Sequence, residues 1–290
     1  MTISLLDPVN LALGLFAFVL IARVGAVDRR IGGVLLTFPI LNGVALLASE
    51  APFAVAGTIA VIVILNSLLF WSAATWVERL PPLPEGLGDI PRMLARLSLW
   101  AAIWAAAAFA LTAHRELLPS EWALFALHGC VAAACIHWLW RGAPPASPAA
   151  VPPSRAEEAV NWTVRLLLFV AVFAILMLTA RTVPDPRWTG MASALPLPGL
   201  FALAYLSTRT DGRSLRPIRD TVLLGPLLVI PFNHLFALVV VRLPSGTAGT
   251  VAGMAALLMF WGVALALVFR LVPLMERRLD RRRPAAVGDR

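Results

Sequence analysis

Residues 28–46 read DRRIGGVLLTFPILNGVAL, and residues 185–203 read DPRWTGMASALPLPGLFAL. The two align without a gap at a constant offset of 157, which pairs Asp28 with Asp185, Arg30 with Arg187, Gly33 with Gly190 and Pro39 with Pro196. In each copy a charged turn and a glycine precede an apolar segment that proline interrupts near its middle. Proline removes a backbone donor inside a helix, so both segments are expected to be broken helices. A matched pair of broken apolar helices is the pattern of a duplicated membrane protein.

Composition agrees with a membrane chain. Of 290 residues, 60% are hydrophobic and 14% charged, too apolar for an ordinary soluble domain. The formal charge of +8 does not imply nucleic acid, because the arginines sit between apolar runs, where membrane topology accounts for them. Cys130 and Cys135 lie within an apolar segment at a spacing that suits neither a redox pair nor a metal site. The N-terminus has no basic stretch before its first apolar run, which therefore reads as a retained helix and not a cleaved signal.

At about 20 apolar residues per crossing, the chain divides into nine helices: 8–25, 32–49, 52–77, 97–113, 121–140, 161–182, 189–207, 220–241 and 247–272. The second and seventh are short enough to be re-entrant instead. Nine crossings with the N-terminus outside leave only Arg115, Arg181, Arg187 and Arg242 of the 24 basic residues on the outer face. This asymmetry is the positive-inside pattern, and it favours nine full spans and a cytoplasmic C-terminus in a bacterial inner membrane.

The duplication continues beyond the opening motif. ILNSL at 64–68 is similar to PFNHL at 231–235, now at an offset of 167 because the second copy carries about ten extra residues around 209–217. Four helices then match four, with the fifth between them. A four-helix unit followed by one unmatched helix must present its second copy upside down, a 4+1+4 inverted repeat. The expected organisation is a first repeat at 1–113, a joining helix and linker at 114–160, a second repeat at 161–275 and a basic tail at 276–290. The linker GAPPASPAAVPPS at 142–154 is too rich in proline for a helix or a core.

The motif GGVLLTFP at 32–39 resembles the second helix of the small bacterial inner-membrane proteins of the GlpM type, four-helix chains of unknown biochemical activity. LPLPGLFALAYLSTRTDGRSLRPIRDTVLLGPLLVIP at 195–231 is similar in its order of motif, basic loop and third helix, although Leu195 stands where the motif has phenylalanine. The resemblance implies a fused tandem of two such units. It implies no catalytic residues.

Inverted repeats imply alternating access, since two copies related by an axis in the membrane plane can exchange conformations. The helix breaks would be marked by Gly32, Gly33 and Pro39 in one copy and by Gly190, Pro196 and Pro198 in the other. Polar groups at membrane depth are few. Asn42, Asn66, Asn233, His234 and Ser193 are the candidate substrate-binding residues, with Asn66 and Asn233 at equivalent places and able to bind a neutral polar solute or each other. His234 is the one titratable group beside them. His128 and His137 lie on different faces of the fifth helix, which argues against a shared metal. No cofactor is implied, and no nucleophile, acid pair or metal cluster suggests an enzyme. The expected partners are the lipid bilayer and a small solute. Small residues at 101–110 and the Gly249-x-x-x-Gly253 pair allow close helix contacts, within the monomer or in a homodimer. Two functions fit: a secondary transporter or facilitator of a small solute, and a non-transporting scaffold in envelope polysaccharide or lipid assembly.

Overall fold

In the computed structural model, the described residues are 11–12, 15–16, 18–19, 29–36, 41–79, 89–142, 155–209, 215–244 and 247–280. All the elements they form are helical. Among the described residues five helices are long and apolar enough to cross a membrane, at Pro52–Arg79, Ile90–Ala113, Glu158–Thr182, Pro186–Thr208 and Val251–Leu274. A bent pair, Arg216–Val222 with Gly225–Val240, makes a sixth if taken as one span. The chain is a helical membrane protein. Most of the expected first helix lies outside the described residues, and Glu121–Cys135 forms a shorter apolar helix.

The organising element is α3 (Pro52–Arg79), preceded by α1 (Arg29–Leu36) and α2 (Asn42–Ala48). Pro52 opens α3 at a position where a missing N–H costs nothing. At 1.5 Å per residue its 28 residues reach about 42 Å. Val55, Ala56, Ile59, Ile62, Val63 and Phe70 are all fully buried while Phe53, Leu68 and Trp76 stay exposed, so the helix is apolar all round and covered over most of its surface.

Around it stand α4 (Asp89–Ala113), α5 (Glu121–Gly142), α6 (Arg155–Thr182), α7 (Pro186–Ser193), α8 (Leu197–Arg209), α9 (Arg216–Val222), α10 (Gly225–Val240) and α11 (Thr247–Asp280). The most extensive contacts of α3 are with α10 and α7, while α1 lies mainly on α9. The halves are thus interleaved.

The seventh segment is interrupted where expected. Asp185 caps α7, its carboxylate accepting from the Arg187 N–H at 2.9 Å, and Pro186 occupies the first turn. The helix stops at Ser193 because Pro196 and Pro198 lack the N–H groups that the carbonyls of Ala192 and Ala194 would otherwise accept. α7 and α8 still follow one another as a single candidate span. In the second segment, Pro39 lies with Thr37 and Ile40 outside the described residues, between α1 and α2.

The eighth helix departs from the expected single rod over 220–241. It starts at Arg216 and bends by 41° between α9 and α10. Pro226 cannot donate to Val222, and the joint turns through short-range bonds instead, Leu224 N–H to Thr221 O at 3.0 Å and Leu227 N–H to Leu224 O at 3.2 Å. The carbonyl of Leu223 faces His128 Nε2 of α5 at 2.9 Å. α4, α6 and α11 all extend beyond their expected apolar cores, because charged residues at their ends continue the helix past the hydrophobic run.

Gly253 packs within the chain. A Cβ there would stand 2.4 Å from Leu47 Cδ2, and one on Gly43 would stand 2.2 Å from Leu257 Cδ1. The two helices α2 and α11 therefore interlock, each glycine receiving the other helix's leucine.

Candidate functional site

The close approaches of α1 and α7 depend on one glycine each. A Cβ on Gly33 would lie 2.2 Å from Thr221 Oγ1 and 2.6 Å from the Ile218 carbonyl oxygen of α9. On Gly190 it would lie 2.9 Å from the Val55 carbonyl oxygen and 3.0 Å from Thr58 Cβ of α3. In both cases the glycine presses on a carbonyl and on the threonine three residues further along the same helix. Only a residue without a side chain admits such contact. Gly32 is half-buried.

Below Gly190, the end of α7 is bracketed by two asparagines from the first half of the chain. Ser193 Oγ lies 2.8 Å from the Gly190 carbonyl oxygen and 3.1 Å from Asn42 Oδ1. One hydroxyl proton serves one acceptor. The assignment that satisfies more groups has Ser193 donating to Gly190 and Asn42 turned to donate its own Nδ2 to Ser193, since amide orientation follows from the network. Asn66 makes a stronger contact: its Nδ2 donates to the Ala194 carbonyl at 2.8 Å, and its Oδ1 accepts from Trp104 Nε1 of α4 at 2.6 Å. In a regular helix Ala194 would accept from residue 198, which is proline. The Asn66 amide therefore stands in for the missing backbone N–H.

Asn233 differs. It is fully buried on α10, and neither Nδ2 nor Oδ1 has a hydrogen-bond partner. Of the two alternatives for Asn66 and Asn233, a bond to each other is not made, because Ala194 and Trp104 engage Asn66. His234 stands apart from the crossing, with Nδ1 2.9 Å from the Ile230 carbonyl oxygen, Nε2 3.8 Å from Glu121 Oε1, and the Trp122 ring 4.8 Å from its own. Of the five candidates, then, Asn42, Ser193 and Asn66 gather at the end of α7. The other two belong to α10.

Two charged clusters were not visible in the sequence. At the ends of α3 and α9, Glu78 takes Arg216 on one oxygen and Arg219 on the other, and Arg219 bonds Asp220 Oδ1 at 2.8 Å; Arg219 is only 7% exposed. A cluster this well shielded is firmly held because each charge has an oppositely charged neighbour. The sequence signal was present in outline, as Arg216 and Arg219 at i and i+3 share a helix face. Their carboxylate is 138 residues away from Arg216. The second cluster lies at the opposite end of α7, where Arg187 meets Glu116 at 2.9 Å and Asp185 at 3.3 Å. The Glu116 carboxyl is held below its usual range by its own backbone N–H and then by Arg187. Arg96 closes the end of α8, donating at 2.7 Å to both the carbonyl and the hydroxyl of Ser207.

Among the described residues no three of His, Cys, Asp and Glu are grouped as a metal site. His128 is buried against Leu223, and His137 is exposed. Cys130 is exposed and Cys135 half-buried, both as free thiols. Comparison with protein-family models, curated proteins and solved structures gave no match.

Proposed function

We propose that the chain is a transporter or facilitator of a small neutral polar solute in a bacterial inner membrane, built as a 4+1+4 inverted repeat of nine spans with its C-terminus in the cytoplasm. The observation that carries the repeat is the pair of matched glycine contacts. Gly33 on Ile218 and Thr221, and Gly190 on Val55 and Thr58, are alike in kind, each half's glycine pressing on a carbonyl and a threonine of the other half, about one helical turn apart in register. Two equivalent units allow the two conformations of an alternating-access cycle.

In this reading the solute binds beside the interrupted helices, where Asn42, Asn233 and Ser193 supply uncharged donors and acceptors. Both polar atoms of Asn233 are buried without a partner. Such atoms cost about 1–3 kcal/mol each, and a solute that pairs with them recovers that cost. Glu78 with Arg216 and Arg219 closes the cytoplasmic end, and opening requires that α9 swing away from α3 at the Leu223–Leu224 joint.

The scaffold reading has its own support. Asn42, Ser193 and Asn66 are at most 3% exposed, so the crossing is closed to both faces in this conformation. A transporter reaches this state only as an occluded intermediate; a scaffold stays in it. The two readings separate by thiol accessibility. With Cys130 and Cys135 replaced by alanine, S193C in right-side-out and inverted vesicles is expected to react with a membrane-impermeant thiol reagent from both faces. Reaction from neither face over hours would leave the scaffold.

A further inference from the structure

We propose that His234 and Glu121 form a proton-binding site at the end of α10 away from the bend, with the imidazole Nε2 as the atom that gains and loses the proton. The assignment follows from acceptor geometry. Nδ1 of His234 faces the Ile230 carbonyl oxygen at 2.9 Å, and a carbonyl only accepts, so Nδ1 carries hydrogen in every protonation state. Neutral His234 is thereby the Nδ1–H tautomer, and its Nε2 is a bare lone pair. That lone pair is buried without a hydrogen-bond partner and looks toward Glu121 Oε1, itself an acceptor, at 3.8 Å.

Two lone pairs facing each other are mismatched, and one proton removes the mismatch. A proton arriving from solution on Glu121 Oε1 passes to Nε2 once the two side chains close their 3.8 Å separation to hydrogen-bond distance. The carboxyl returns to carboxylate, the imidazole becomes imidazolium, and an ion pair forms between α5 and α10. The rest of the site is arranged for this. Arg115 Nη2 holds the other carboxylate oxygen at 2.8 Å, leaving Oε1 as the one directed at the histidine. Trp122 lies with its ring 4.8 Å from the imidazole, where an aromatic face attracts a cation. Glu121 keeps 29% of its side chain exposed and His234 only 12%, so the carboxylate is the entry and the imidazole the store.

Other charges are remote in sequence from this part of α10. No charged residue occurs in α2, in residues 52–77 of α3 or in residues 247–269 of α11. Glu50 precedes α3, Arg242 follows α10 and bonds the Leu238 carbonyl, and the arginines of α1 and α9 belong to the opposite ends of their segments. The proton site stands whether or not the chain transports. Coupling of proton uptake to movement of α10 against α5 rests on the transport reading.

The full-length protein in lipid nanodiscs, labelled with nitrogen-15 at its four histidines, provides the test. His234 is assigned by the signals lost in H234Q. Between about pH 5 and about pH 9, Nδ1 of His234 is expected to remain protonated throughout while Nε2 passes from protonated to bare. In E121Q the signal of the protonated Nε2 should move, because the carboxylate that it faces is gone. A pH-dependent part of the tryptophan emission should vanish in both W122F and H234Q. A neutral Nε2–H tautomer, an Nε2 that never protonates, or a protonated Nε2 signal indifferent to E121Q would each overturn the proposal. None of these readouts depends on solute movement, which the vesicle labelling of S193C reports separately.

Discussion

Asn66 in ILNSL and Asn233 in PFNHL sit in similar stretches of sequence and are both buried, yet one uses its whole amide and the other uses none of it. Asn66 closes a defect that proline created, donating to Ala194 and accepting from Trp104. Asn233 is buried with both polar atoms unpaired. The same residue type in similar local sequence thus carries a structural task at one position and not at the other, because the partners come from elsewhere in the chain.

The sharpest way to break this comparison is N66A. It leaves the Ala194 carbonyl and the Trp104 indole N–H buried and unpaired, and about 3 kcal/mol of stability should be lost in a mixed-micelle unfolding titration. Adding P198A to N66A gives Ala194 a backbone donor again and should restore about 1 kcal/mol. If the double variant is no more stable than N66A, Asn66 is not acting for the missing N–H.

Next come the glycines. G33A and G190A should each cost about 2 kcal/mol, because a Cβ forces two backbones apart. G33A is expected to be the worse, since its Cβ would come within 2.6 Å of a carbonyl oxygen while that of Gly190 stays 2.9 Å away. Full stability in one variant beside a large loss in the other would break the proposed equivalence of the halves. N233L should do the reverse of N66A: it removes two unpaired polar atoms for an apolar side chain of similar size and should raise stability by about 1 kcal/mol. Loss of stability in N233L would mean that Asn233 already has a partner.

The smallest effect is expected at Glu116. Its carboxyl is held low in the folded chain, so its contribution is present above the unfolded carboxyl range and lost as pH falls through the folded value. E116Q should flatten that acid limb of the melting profile and change little at neutral pH, as for other exposed ion pairs.

Much of the fold was legible because its signals are local. Pro196 and Pro198 mark the end of α7 within a few residues, and Gly253 announces a close helix contact wherever it lands. What stayed hidden depends on partners distant in the chain. Glu78 follows directly on the apolar run 52–77 and Arg219 stands just before the run 220–241, and nothing nearby in sequence says that they meet. Trp104 stands in an alanine-rich run with no polar neighbour, and its indole bonds Asn66 on another helix. The bend at Leu223 and Leu224 was missed because Pro226 stands near the start of a segment that reads as one apolar run. Of the candidate site residues, Asn42, Asn66 and Ser193 meet at the end of α7 while Asn233 and His234 lie on α10, a grouping that sequence does not give, since a helix face settles direction only once its neighbours are known.

The hydrogen bond between Asn66 and Ala194 also has a consequence in time. Its two ends are 128 residues apart, so α3 is synthesised well before the carbonyl it serves. At about 5–20 residues per second, the delay is roughly 10 s. Trp104 emerges sooner and accounts for only one side of the amide. During that interval the newly made helix carries an unpaired donor that hydrocarbon does not accommodate, which favours its retention beside the insertion machinery until the second half of the chain arrives.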